Sequence, residues 1–272
     1  MTIAYILQIL RDAEKDNLQK YGMIYDLNAE LAKAERRAKR RIQRLKTRAQ
    51  YELGEMDKAK VEATSGYMQR FINGFKKIQN VTLGDCRGLP DIERFLGEGF
   101  EVRDMITKAD RIANLSNLGA CAYSSMNLGY GILETYVTLP DITINNYKVK
   151  GGDKKYIRAL IEELEAYRQE IRVICSRLET IALRAREEGD ALNDLADYFD
   201  DGISALEEIL SRSGKNWNFY SEAQKMQIGR AVQVAQLIMA LFPHLLDEEG
   251  NVDPESYKAI VNAQEALANR DA

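Results

Sequence analysis

The chain has 272 residues, 45% hydrophobic and 29% charged, with 38 Lys+Arg against 42 Asp+Glu for a net charge of -4. That length supports one large domain or two small ones with a real core, and only 4 Pro with 18 Gly exclude collagen-like and Pro/Gly-rich disordered classes. One His and three Cys leave little room for His-dyad catalysis, His-rich zinc sites or a disulfide framework, and the slight acidic excess argues against a nucleic-acid binder.

The thiols are Cys86, Cys121 and Cys175, an odd number with no C-x-x-C spacing. Unpaired thiols fit a reducing compartment. The first residues, Met1 to Leu7, are apolar but lack a basic n-region and run into Arg11 and Asp12, unlike a signal peptide. No window reaches about 18 uncharged apolar residues, so no ordinary spanning helix is expected. The expectation is a cytoplasmic chain, peripheral to a membrane at most.

Residues 3–83 read as helix with few breaks. From Leu31 the apolar positions are Leu31, Ala34, Ala38, Ile42, Leu45, Ala49, Leu53 and Met56, and the next place in the pattern is Lys60. Steps of 3, 4 and 4 make an eleven-residue repeat, which sets a straight or slightly right-handed seam. A continuous helix here would reach roughly 100 Å and would need antiparallel partner helices or a second subunit. Gly54, Gly66 and Gly74 are the expected places for a bend.

The same helix holds the densest charge in the chain: Lys33, Arg36, Arg37, Lys39, Arg40, Arg41, Arg44, Lys46 and Arg48, with Glu35 the single acid among them. The first 83 residues hold 17 basic and 10 acidic side chains, leaving the remainder strongly acidic. Two readings follow for Lys33 to Arg44. They pair with acidic helices of the same fold or of another subunit, or they meet an anionic lipid or nucleic-acid surface. No stacking aromatic interrupts the run, and Tyr51 is the nearest. The charge asymmetry within the chain favours pairing.

Gly84, Gly88, Pro90, Gly97 and Gly99 mark a connector, and helical spacing returns over 100–115. Residues 116–133 carry no charge and are rich in small side chains. Over 135–150, β-branched and aromatic residues alternate with polar ones around Asn145-Asn146, which predicts a small β-hairpin. Tyr136, Val137, Ile142, Ile144 and Tyr147 are its candidate contact residues. From residue 153 an apolar stripe resumes through Ile157, Leu160, Leu164, Tyr167, Ile171, Cys175, Leu178 and Ile181. Gly189 is the expected interruption before Leu192. Trp217, Phe219 and Tyr220 are expected to staple the start of the next helix, and Ser221 with Gln224 forms a capping box there. That helix is apolar on nearly every side, which predicts a central buried element. Asp253-Pro254 predicts a final helix over 254–268.

The order of parts carries a resemblance. A long basic helix leads to Phe71-Ile72-Asn73-Gly74-Phe75-Lys76-Lys77-Ile78-Gln79-Asn80-Val81. A small-residue apolar segment, a second long helix and the stretch Leu245-Leu246-Asp247-Glu248-Glu249-Gly250-Asn251-Val252 follow. This resembles a bacterial family of long-helix proteins with a Gly-rich apolar mid-chain segment, sometimes labelled "chemotaxis protein". The resemblance implies a membrane-active hairpin in mid-chain. Here the apolar segment is short and precedes a polar hairpin. The element order also resembles the helical pore-forming toxins, which insert a tongue between two long helices.

No chemical constellation stands out. Asp190, Asp194, Asp197, Asp200 and Asp201 lie largely on one helical face, but a di-iron site needs Glu-x-x-His pairs and His244 is the single His. A solvated acidic face is the expectation. Residues 247–253 lack the register of a calcium loop, and no phosphate-loop pattern occurs. The sequence therefore predicts an all-α, elongated bundle of long antiparallel helices with a small inserted β-hairpin. Its parts are residues 1–115, a tip over 116–152, and C-terminal helices over 153–272, intertwined as one domain. The expected function is non-enzymatic: a self-associating interaction protein that uses 116–150 as a binding or oligomerising tip, with no cofactor and no metal. Its expected partners are further copies of itself or another protein. The alternative is a membrane-active protein that inserts 116–150 into an anionic bilayer.

Overall fold

The computed structural model describes residues 3–15, 24–86, 107, 148–150, 154–243, 245–247 and 249–269. The fold is all-α in its dominant elements. In chain order they are α1 (Ile3–Lys15), strand β1 (Ile24–Asp26), α2 (Asn28–Glu62), a π-helical segment (Ala63–Met68), α3 (Gln69–Phe75) and a 3-10 turn (Leu83–Cys86). Then come strand β2 (Lys148–Lys150), α4 (Lys154–Ser213), a 3-10 turn (Trp217–Phe219), α5 (Glu222–Ala240) and α6 (Pro254–Ala268). The chain divides into two compact units. One comprises Met1–Gln50 with Leu133–Ile181, the other Tyr51–Ile132 with Ala182–Ala272. Each unit thus draws on both halves of the sequence.

In the first unit the core is a three-helix contact. Ile6, Leu7, Leu10 and Ala13 of α1 meet Leu31 and Ala34 of α2, Leu27 just before it, and Ile157, Leu160 and Leu164 of α4. The α1 residues recur at i, i+1, i+4 and i+7, one face of a 3.6-residue helix. Each fully buried Leu or Ile of this kind contributes roughly 1.5–3 kcal/mol. Arg11 pairs with Glu165, and Arg158 with Glu14 at 2.5 Å. Rising numbers on α1 meet falling numbers on α4, so these two helices are antiparallel. The continuous helix expected over 3–83 is broken before α2: Ile24, Tyr25 and Asp26 form β1, which pairs antiparallel with β2, Ile24 opposite Lys150 and Asp26 opposite Lys148. No hairpin over 135–150 is seen among the described residues. Its last three residues pair instead with β1, and Tyr136, Val137, Ile142, Ile144 and Tyr147 lie outside the described residues.

In the second unit the end of α2 and all of α3 run beside α4 in the same direction. Lys60 meets Glu188 at 2.5 Å. Further on, Arg70 pairs with Asp200 at 2.5 Å and with Glu207 at 3.1 Å. The Phe71 and Phe199 rings lie 5.2 Å apart, and a Cβ on Gly74 would sit 3.0 Å from Leu206. At the end of the pair the Gln79 amide donates to the Lys215 carbonyl at 2.7 Å and the Trp217 amide to the Gln79 carbonyl at 3.1 Å. Numbers rise together on both elements, so the antiparallel expectation is corrected for this pair. Hydrophobic spacing is blind to helix direction, which is why the sequence did not distinguish the two.

The eleven-residue seam of α2 is buried at Leu31, Ala34, Ile42, Ala49, Leu53, Met56 and Lys60, and partly buried at Ala38 and Leu45. Gly189 does not interrupt α4. A Cβ there would lie 3.4 Å from Met56 Cα, so the missing side chain admits the neighbouring helix backbone. Helix α4 stops at Gly214, whose φ of 80° is the left-handed geometry that ends helices. Tyr220 Oη donates to the Gly214 carbonyl at 2.7 Å. The capping box is present: Ser221 Oγ accepts from the Gln224 amide, and Gln224 Oε1 accepts from the Ser221 amide at 2.9 Å. Helix α5 is buried along Ile228, Ala231, Val232, Val234, Ala235 and Ile238, with Ala231 against Gly202 of α4. Helix α6 starts at Pro254 behind the Asp253 cap and packs on α5. Of the expected staple, Trp217 and Tyr220 are buried, whereas Phe219 is 77% exposed.

Candidate functional site

Two arrangements on the long helices carry chemistry: the outward charged faces, and one buried ion pair.

The seam turns one side of α2 inward and leaves most of its basic residues outside. Lys33, Arg36, Arg37, Arg40, Arg41 and Arg44 are exposed and Lys39 is half-buried. The fold neutralises them unevenly. Lys33 pairs with Glu30 at 2.9 Å and Lys39 with Glu35 at 2.6 Å, both within α2. The Lys33 ammonium beside Glu30 holds that carboxyl below its ordinary range. Arg41 reaches Glu179 of α4 at 3.3 Å. Arg36 Nε donates to the Ala32 carbonyl at 3.1 Å. Arg40 and Arg44 meet no carboxylate among the described residues. Arg36, Arg40 and Arg44 follow one another at i+4, where like charges repel by a few tenths of a kcal/mol per pair. The face continues to Tyr51, which is 63% exposed.

Between Asp190 and Asp201 the outward side of α4 has the opposite sign. Asp190, Asp194, Asp197 and Asp201 are exposed. Asp190 lies 3.5 Å from Arg186; Asp194, Asp197 and Asp201 meet no cation among the described residues. Asp200 belongs elsewhere, on Arg70. No group of three or more His, Cys, Asp or Glu among the described residues is placed to hold a metal ion.

The buried pair is Lys60 with Glu188, 3% and 1% exposed. Lys60 Nζ also donates to the Pro243 carbonyl at 3.1 Å. Glu188 Oε2 has no partner among the described residues. Burial pushes the Glu188 carboxyl above its usual range, and the Lys60 charge opposes that rise. One turn on, Thr64 Oγ donates to the Lys60 carbonyl at 2.7 Å, and the backbone passes into the π-helical segment, a form often found at functional positions. The repeat had already placed Lys60 on the seam. Glu188 was missed, although it stands three residues after buried Ala185 and four before buried Leu192, which is seam spacing.

The two described thiols, Cys86 and Cys175, are buried. Burial pushes Cys86 up to about 11 and also raises Cys175. Cys86 Sγ contacts the Lys225 carbonyl at 3.4 Å. Nearby, Asp85 accepts from Trp217 Nε1 at 3.0 Å and from Lys225 Nζ at 2.7 Å, fastening the 3-10 turn to the buried indole and to α5. No helix among the described residues is long and apolar enough to cross a membrane. Compared with family models, with curated proteins and with solved structures, the chain matches none.

Proposed function

We propose that the chain is a non-enzymatic helical assembly protein. It self-associates through the outward faces of its long helices, with residues 116–150 as an additional binding or oligomerising segment. The observation that supports this reading is the basic face of α2. Of its seven arginines and lysines, Arg41 reaches a carboxylate on another helix, two pair within α2, and Arg40 and Arg44 meet none among the described residues. An arginine row with uncompensated repulsion is relieved by an acidic partner surface.

Light scattering with and without anionic vesicles tests the reading. A discrete oligomer of unchanged mass in both samples is expected. A monomer that becomes a large vesicle-bound species would overturn it in favour of a membrane-active protein.

A further inference from the structure

The exposed faces of α2 and α4 match each other in reverse order. On α2 the residues are Tyr51, Arg44, Arg40, Arg37 and Lys33, read backwards in steps of 7, 4, 3 and 4. On α4 they are Leu183, Asp190, Asp194, Asp197 and Asp201, read forwards in steps of 7, 4, 3 and 4. At about 100° per residue each set falls within an arc of about 60° on its helix. All ten residues are exposed, with Tyr51 at 63% and Leu183 at 48%.

We infer that this complementarity is an interface between two copies of the chain: the basic face of α2 in one copy lies antiparallel along the acidic face of α4 in the other. The inference rests on the assembly reading and names its contact. In this register Arg44 faces Asp190, Arg40 faces Asp194, Arg37 faces Asp197, Lys33 faces Asp201, and Tyr51 meets Leu183. Within each unit α2 and α4 meet in another way. Within the second unit α2 and α4 run parallel, through Lys60 with Glu188 and Arg70 with Asp200. In the first unit Arg41 already takes Glu179. A second copy can present the same stripes in the opposite sense. The contact spans about 27 Å of helix. Exposed ion pairs are individually weak and salt-sensitive, so the aromatic-aliphatic contact at one end anchors the row and the charges fix its direction and register.

The test is a charge swap. One chain carries Arg40→Glu with Arg44→Glu, and a second carries Asp190→Lys with Asp194→Lys. Both are followed by light scattering, with circular dichroism to check helicity. Each variant alone is expected to associate at least about tenfold more weakly than the native chain, and an equimolar mixture is expected to recover association. A variant that assembles as well alone as the native chain, or a mixture that does not recover, overturns this contact while leaving assembly standing. A native chain that is monomeric overturns the assembly reading itself. A register check avoids charge changes: Tyr51→Cys chains are mixed with Leu183→Cys chains under mild oxidation. A disulfide-linked hetero-pair, absent from either chain incubated singly, is expected; no cross-link overturns the register.

Discussion

Lys60 and Glu188 face each other at 2.5 Å on adjacent parallel helices, 3% and 1% exposed. A buried charge deprived of its partner costs far more than a buried pair replaced as a unit. Glu188→Leu alone is expected to lower unfolding free energy by about 3–5 kcal/mol, whereas Lys60→Met with Glu188→Leu is expected to be neutral or stabilising by up to about 4 kcal/mol. Urea unfolding of the single and double variants checks this. A single variant as stable as the native chain would mean that Lys60 is satisfied without Glu188.

The same pair sets a pH dependence. Burial raises the folded-state value of Glu188 above its unfolded one. Its contribution is therefore most favourable below the unfolded value, roughly pH 4, and is lost as pH rises through the folded value. The double variant lacks this loss. Its stability is expected to change less between about pH 4 and pH 7, as read by urea midpoints across that range.

Cys86 gives an effect at the other end of the scale. Its thiol is raised from 9.0 to about 11 by burial, with Asp85 adding to the rise. The neutral thiol therefore supports the fold fully below the unfolded value, and that support is lost as pH climbs from about 9 towards about 11. At neutral pH Cys86 is expected to alkylate many times more slowly in the native chain than in urea, as measured by mass spectrometry of the modified peptide.

The chain has one Trp, and it is fully buried with its indole N–H on Asp85. Asp85→Ala leaves that donor unpaired and removes the carboxylate from Lys225. A loss of about 1–3 kcal/mol is expected. Because no other indole is present, Trp217 fluorescence should shift if the 3-10 turn detaches. Unchanged emission and stability would show that the turn is held by Leu83 and Cys86 alone.

Two glycines separate backbone preference from packing. Nothing lies within 4 Å of a Cβ on Gly54, whereas one on Gly202 would stand 3.0 Å from Ala231 Cβ. Gly54→Ala is expected to stabilise by about 0.5–1 kcal/mol. Gly202→Ala is expected to show no such gain, because the α4–α5 approach must widen. Thermal unfolding of both variants decides it.

The parts legible in the sequence were those encoded by local spacing. The eleven-residue step pattern located the buried side of α2 as far as Lys60, and Ser221, Gln224, Asp253 and Pro254 marked where α5 and α6 begin. The illegible parts depend on partners far along the chain. Strand β1 is three residues long and pairs with a segment more than a hundred residues away, so no local signal outweighs the flanking helical pattern. The parallel course of α2 and α4 leaves no trace in periodicity. Gly189 read as a breaker because a close helix approach and a helix stop call for the same residue. The basic face was visible as composition, but its division into Arg41, which is paired across helices, and Arg40 and Arg44, which are not so paired among the described residues, required the position of Glu179.

The π-helical segment Ala63–Met68 has a consequence for how this chain tolerates changes in length. Its wider turn absorbs about one residue more than an α-helix needs, so Lys60 before it and Phe71 after it both stay on α4. Removing one residue inside 63–68 would return the backbone to plain α-helix with both contacts kept. Removing one between Ala49 and Met56 would rotate every later position by about 100° and expose the phenylalanines. Length variation in this half of the chain therefore has a safe address.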